Sequence, residues 1–309
     1  MRGFERSLLA RENLTTVRRL AAASPRAWGI VSRVRPAAAV GGGGYLSGPV
    51  VAVAALRGVP SLAIESDAHL GVANRLLRPL VKRLCLSFPI AGLEPPKHVV
   101  TGRPLSQRQL SADAGAGRRL FGLAPDRPVV LVFGGSQGAQ SINRACLEAF
   151  ATADLGFQVI HVCGERNFAE AKAALAASGA PLERYILLPY TDELAHAMAA
   201  ADLVVGRSGG SVAEIAALGR PAVLVPYPYA SADHQRRNAR WMEAAGAAIL
   251  VDDGDLSGRR LSGLVGELLA DRDRLTRMAA ASRALGRPDA TERVADEVER
   301  LVAERKRWA

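Results

Sequence analysis

The sequence is poor in the residues that staple small secreted domains and in those that stack on bases. Its 309 residues include three cysteines, Cys85, Cys146 and Cys163, far apart and in no CxxC or Cys/His spacing, which argues against a disulfide framework or a structural zinc site. Buried thiols in a reducing compartment are the expectation. Aromatics make up 5% of the chain, so no stacking series accompanies its net charge of +10, and nucleic acid is not an expected partner. The excess of 40 Lys and Arg over 30 Asp and Glu then points to anionic lipid or phosphorylated substrates. No apolar stretch approaches the roughly 20 uncharged residues a bilayer-crossing helix needs, and the opening MRGFERSLLARENL has no signal-peptide run.

Hydrophobic residues, mostly Ala, Val and Leu, supply 49% of the chain, a composition suited to helices layered on buried parallel strands. Short apolar runs alternate with Ala/Leu-rich helical stretches, the grammar of βα units and an α/β fold. Strands are expected near 37–41, 60–64, 83–88 and 98–101. A second series follows at 128–135, 157–164, 184–190, 202–207, 221–227 and 247–251, enough for a full doubly wound sheet. Between the two series VVTGRPLSQRQL (99–110) reads as a hinge, and DATERVADEVERLVAERKRW as a charged amphipathic last helix. The expected division is a first domain over 1–104, a second over 105–287 and a C-terminal helix over 288–309 that packs back toward the first.

FGGSQGAQSIN (133–143) places Gly134, Gly135 and Gly138 with Ser136 directly after an apolar strand. A glycine-rich strand-to-helix turn lets backbone N–H groups approach an anion while the helix start adds partial positive charge. GRSGGSVAEIAALGRP repeats the device: Arg207 ends a strand, Ser208 to Ser211 form a small-residue turn, and Glu214 lies in the next helix's first turn, suited to a ribose. YASADHQRRNARW brings Asp233, His234, Gln235 and Asn238 to another helix start, where Gln235 is suited to a sugar. The dinucleotide fingerprint G-x-G-x-x-G is absent, which favours a nucleotide-sugar. Earlier in the chain GGGGYLSGP makes another bend, and Glu65, Asp67 and His69 follow a strand.

Taken in order, GGGGYLSGP, ESDAHLGVANRLL, FGGSQGAQSIN and RSGGSVAEIAALGRPAVLVPYP with DHQRRNA resemble the MurG-type undecaprenyldiphospho-muramoylpentapeptide β-N-acetylglucosaminyltransferases, over roughly residues 30–255. These are GT-B enzymes of glycosyltransferase family 28. The resemblance implies two Rossmann-like doubly wound domains facing a cleft, the first binding the lipid-linked muramoyl-pentapeptide at the cytoplasmic face of the membrane, the second holding UDP-N-acetylglucosamine. It implies inverting transfer of N-acetylglucosamine in peptidoglycan synthesis, with no cofactor and no bound metal.

Carried onto this chain, Gly135, Ser136 and Gln137 are expected around the donor diphosphate and sugar, with Arg207, Gly209, Gly210 and Ser211 forming the second phosphate turn. Glu214 takes the ribose, His234 and Gln235 the sugar hydroxyls, and the backbone at Thr191 the uracil. Gly43, Gly44, Tyr45 and Asp67 fall on the acceptor side, and Asp67, then Glu65, are the candidate bases. Basic, apolar stretches around Trp28 and in NRLLRPLVKRL are expected to lie on anionic lipid.

The chain departs from the family's pattern in several places. No GGTGGH-type loop precedes GGGGYLSGP, so the first domain is expected to be incomplete, with a start upstream of Met1 as the reading this carries. The usual HEQN reads IESD, and Ser106 stands where many relatives have Arg. Two alternatives stay open at this point: a related enzyme moving another UDP-sugar, or a UDP-sugar-binding protein without turnover.

Overall fold

The computed structural model describes residues 11–135, 139–151, 155–180 and 183–308, except for the side chains of residues 11–22, 45–46 and 306–308. The chain divides into two compact units, Met1–Pro104 with Asp289–Ala309, and Leu105–Pro288.

The first unit is built on β1 (Ala39–Gly41), β2 (Ser61–Glu65), β3 (Arg83–Leu86) and β4 (His98–Val100), all parallel and in the order β1-β2-β3-β4. Alternate residues of its strands face different layers. Ala63 and Leu84 pack with Val51 of the helix Gly44–Leu56 and Leu77 of the helix Val72–Leu77. Leu62 and Cys85 point the other way, onto Val294 and Leu301 of the helix Ala290–Trp308. Val294, Val298 and Leu301 recur at helical spacing, which gives that charged helix its single apolar stripe. At its margin Arg83 bridges Glu297 at 3.2 Å and Glu304 at 2.9 Å.

The second unit holds β5 (Val129–Phe133), β6 (Gln158–Val162), β7 (Tyr185–Leu188), β8 (Leu203–Gly206), β9 (Ala222–Leu224) and β10 (Ala248–Leu250). All pairs are parallel, in the order β10-β9-β8-β5-β6-β7. The central strands are fully buried between helices on both faces, hence their unbroken apolar sequence. The chain winds outward from β5 through β6 and β7, returns to β8 on the other side of β5, and winds outward again. The strand order therefore reverses between β5 and β8, the point at which doubly wound sheets bind ligands beyond their C-terminal edge. Gly206 is required there: a Cβ would lie 2.9 Å from the Phe133 carbonyl oxygen of the paired strand.

All ten runs read as strands from the sequence are strands. The segment read as a hinge is more structured than expected. Ser106 and Gln109 form a reciprocal capping box that starts a short helix, Gln107–Leu110. The units divide just before it, between Pro104 and Leu105.

Candidate active site

The two glycine turns of the second unit leave adjacent strands, since Phe133 pairs with Gly206 across β5 and β8. After β5 the chain turns at Gly135, whose φ of +84° is left-handed and open to glycine. Ser136, Gln137 and Gly138 lie outside the described residues. The helix Gln140–Phe150 follows with no side-chain cap at its start. After β8, Arg207 to Gly210 lead into the helix Ser211–Ala217, whose first turn carries Glu214, half-buried.

Several side chains bind these turns together. The Arg207 guanidinium donates to Asp253 at 2.5 Å, to Ser141 Oγ at 2.9 Å and to the carbonyls of Val225 and Pro226 at 3.2 Å. Its plane also lies 5.4 Å from the Tyr227 ring centroid. Arg207, expected as a substrate contact, braces the segments that follow β5, β8, β9 and β10, with both terminal nitrogens engaged inside the protein. Asn238, fully buried, donates to the Ser208 carbonyl at 3.1 Å and so joins the helix His234–Ala244 to the β8 turn.

That helix begins under strain. Ala232 and Asp233 adopt φ of 52° and 55°, consecutive left-handed conformations without glycine, a geometry that costs of order 1–3 kcal/mol per residue and clusters at functional sites. The bend puts His234 and Gln235 in the first helical turn. Gln235 Oε1 accepts from the Tyr227 backbone N–H at 2.9 Å, which sets its NH2 group beside Gly209. His234 Nδ1 lies 2.7 Å from the Ser231 carbonyl, which only accepts, so Nδ1 carries the hydrogen and Nε2 is the accepting nitrogen.

Gly135, Gly209, Gly210, Ser211, Glu214, His234 and Gln235 thus come from turns after β5, β8 and β9, three neighbouring strands. Thr191 stands at the start of the crossover from β7 back to β8, and its Oγ accepts from the Glu193 N–H at 3.0 Å. Ser141 and Asp253 were not singled out in the sequence; the first sits inside the quoted FGGSQGAQSIN, while the second carries no local signal.

In the first unit Gly43 and Gly44, at φ +87° and +73°, turn the chain from β1 into a helix that starts without a side-chain cap. Tyr45 lies in its first turn, with its side chain outside the description. Glu65 ends β2 at 5% exposure. One of its oxygens accepts from the backbone of Ser66 at 3.0 Å and Asp67 at 3.3 Å, the other from Gly71 N at 2.8 Å and Asn74 Nδ2 at 3.0 Å. Glu65, expected as the second candidate base, has both oxygens engaged in shaping the 66–71 loop. Asp67 sits half-buried on the loop that Glu65 holds.

Residues 129–294 match the glycosyltransferase family 28 C-terminal domain. Along most of its length the chain is similar to curated UDP-N-acetylglucosamine–N-acetylmuramyl-(pentapeptide) pyrophosphoryl-undecaprenol N-acetylglucosamine transferases. The protein of Moorella thermoacetica is 44% identical over 279 residues, 87% of this chain and 75% of that one. The protein of Bacillus subtilis strain 168 is 34% identical over 305 residues, 97% of this chain and 83% of that one. Among solved structures the chain resembles MurG of Acinetobacter baumannii, at 30% identity and a TM-score of 0.76, covering 91% of this chain and 78% of that one.

Proposed function

The chain belongs to the MurG-type N-acetylglucosaminyltransferases of glycosyltransferase family 28, and we propose from its geometry which residues carry out the transfer. The protein moves N-acetylglucosamine from UDP-N-acetylglucosamine onto the N-acetylmuramyl-pentapeptide of pyrophosphoryl-undecaprenol. The observation that carries the assignment is the pair of glycine turns side by side at the reversal of the second sheet, with Glu214 and Gln235 beside one of them.

The amides of Gly209, Gly210 and Ser211, with the loop that begins at Gly135 and continues through Ser136 and Gln137, hold the donor diphosphate. Glu214 accepts from the ribose hydroxyls, the backbone at Thr191 meets the uracil, and Gln235 and His234 Nε2 meet the sugar hydroxyls. As the acceptor oxygen bonds to the anomeric carbon, the bond from that carbon to the diphosphate breaks and the configuration inverts. Preoriented amides and helix starts stabilise the charge that grows on the departing UDP. On the acceptor side Asp67 takes the hydroxyl proton, while the uncapped helix start at Gly43 and Gly44 faces the acceptor's pyrophosphate.

The acceptor's lipid brings the protein to an anionic cytoplasmic membrane surface, which it meets through the first unit. Leu76, Val72 and Leu80 are 64%, 42% and 38% exposed, next in sequence to Arg75, Arg78 and Lys82. Desolvation, and after it the like charges of Arg78 and Lys82, hold Lys97 below the usual lysine range. Trp28, also half exposed, lies under the Arg57 guanidinium at 4.5 Å. No helix among the described residues is long and apolar enough to cross a membrane, and a peripheral contact of this kind needs none.

The decisive assay is UDP release with a panel of UDP-sugars and the lipid-linked muramoyl acceptor. UDP-N-acetylglucosamine is expected to be turned over in preference to the others, and preference for another sugar overturns the assignment.

A further inference from the structure

β6 buries a histidine in the second unit's apolar core, where its strand neighbours are Val159, Ile160 and Val162. His161 has no exposed surface, and an unsatisfied polar group in such a place costs about 1–3 kcal/mol. Each of its nitrogens is paired. Nε2 lies 3.0 Å from Asn143 Oδ1 and Nδ1 lies 2.8 Å from the Tyr185 hydroxyl, which in turn lies 3.2 Å from Cys146 Sγ.

The directions of these bonds follow from one fixed point. The Cys163 carbonyl only accepts, so Asn143 must give it its NH2, at 2.8 Å. Asn143 therefore turns Oδ1 to the imidazole, and His161 Nε2 carries the ring hydrogen. Nδ1 then accepts from the Tyr185 hydroxyl, leaving that oxygen to accept from the Cys146 thiol. Every member is neutral: burial pulls His161 down to about 3, pushes Cys146 up to about 12 and raises Tyr185. The relay runs from Cys146 through Tyr185, His161 and Asn143 to the end of β6 with no donor or acceptor conflict.

Its last side chain sits beside the donor site. Asn143 belongs to the first turn of the helix Gln140–Phe150, the helix entered from the β5 glycine turn. Ser141, two residues earlier and so about 200° around the helix, donates to Asp253 at 2.6 Å and accepts from Arg207. The first turn is thus clamped from two sides, by the Arg207 cluster and by the buried relay.

We propose that Asn143, oriented by His161 and Tyr185, is a positioning residue for the transfer: it fixes the first turn of this helix so that the turn's uncapped amides meet the diphosphate of UDP-N-acetylglucosamine. The inference rests on the reading of the β5 turn as a donor loop.

The test compares Asn143→Ala, His161→Leu and His161→Gln with Leu175→Ala, which removes apolar volume from the same core without touching a polar group. Kinetics are measured against both substrates, together with Tm. Asn143→Ala and His161→Leu are expected to raise the KM for UDP-N-acetylglucosamine about tenfold, less than the roughly hundredfold that a misplacement of about 1 Å can cost, with the acceptor KM unchanged. His161→Gln, which keeps a donor for Asn143, is expected to recover most of that loss. Leu175→Ala is expected to lower Tm without moving the donor KM. A donor KM that tracks Tm across all four variants, or that stays at the wild-type value in Asn143→Ala and His161→Leu, overturns the positioning role. Calorimetry with UDP on Glu214→Ala separates the two levels. Weakened UDP binding there beside an unmoved Asn143→Ala removes the relay and keeps the donor site, whereas unweakened binding removes both.

Discussion

The two sheets solve one task with different means. The second reverses its strand order between β5 and β8 and laces the loops at that reversal through side chains from segments that follow several strands: Arg207 to Ser141 and Asp253, Asn238 to Ser208. The first runs β1 to β4 in one direction and shapes its loop with one local carboxylate, Glu65, acting within nine residues. A site held by many long-range bonds suits tight ground-state recognition of a rigid nucleotide, whereas a loop held by one anchor suits the presentation of a single reactive group. The comparison predicts that damage to the first unit appears chiefly in kcat and damage to the second chiefly in the donor KM.

Asp67→Ala is the severest test of the first half of that statement. Loss of a positioned base costs about 10²–10⁴-fold in rate, so kcat is expected to fall on that scale with the donor KM little changed. Steady-state kinetics with the lipid-linked acceptor decide it, and a kcat within a factor of about three of wild type removes Asp67 as the base.

Glu214→Ala probes the second half. Charge-assisted bonds are worth about 1.5–3 kcal/mol, so the donor KM is expected to rise by about ten- to a hundredfold. Because the proposed ribose contact would be made in ground and transition states alike, kcat should move far less. A fall confined to kcat would erase the contrast between the units.

The buried relay of the second unit also sets a pH dependence of its own. His161 is held near 3 by desolvation, while in the unfolded chain it binds a proton near the ordinary value of about 6.5. The unfolded state therefore holds more protons between these values, and stability is lost as pH falls through that window, by up to about 1.4 kcal/mol per unit. The side chains around it, Tyr185, Cys146 and Cys163, are all pushed upward and stay neutral there. His161→Gln should flatten this acid-side slope in denaturant titrations at pH 6.5 and 5, and an unchanged slope would refute the assignment.

How far the sequence disclosed this molecule depends on the range of the interaction. All ten strands were legible because buried parallel strands are apolar runs punctuated by Gly and Pro, a signal complete within each segment. The glycine turns were legible for the same reason. The capping box at Ser106 and Gln109 was equally local, an S-x-x-Q pattern, yet its place between two Gly/Pro-marked segments favoured a hinge. Asp253 and His161 had no such signal. Their roles arise when Arg207 and Asn143 are brought to them from 46 and 18 residues away. Glu65 was visible as a carboxylate at a strand end, but only the fold shows both oxygens filled.

The smallest predicted effect concerns the face of the first unit proposed to meet lipid, where charge and apolar surface should be separable. One Lys or Arg near an anionic bilayer contributes about 1 kcal/mol, so Arg78→Gln should weaken partitioning to vesicles with a third anionic phospholipid by about fivefold at low salt. Screening shortens the reach of such charges to about 3 Å at 1 M ionic strength, so the difference should fade as salt is added. Leu76→Ser removes apolar area instead, and its loss of binding should persist at high salt. Neither change touches the donor loops, so activity on detergent-dispersed acceptor should stay at the wild-type level in both. Co-sedimentation across a salt series reads the two arms directly. If Arg78→Gln and Leu76→Ser both sediment like the wild type at low salt, this face of the first unit does not touch lipid.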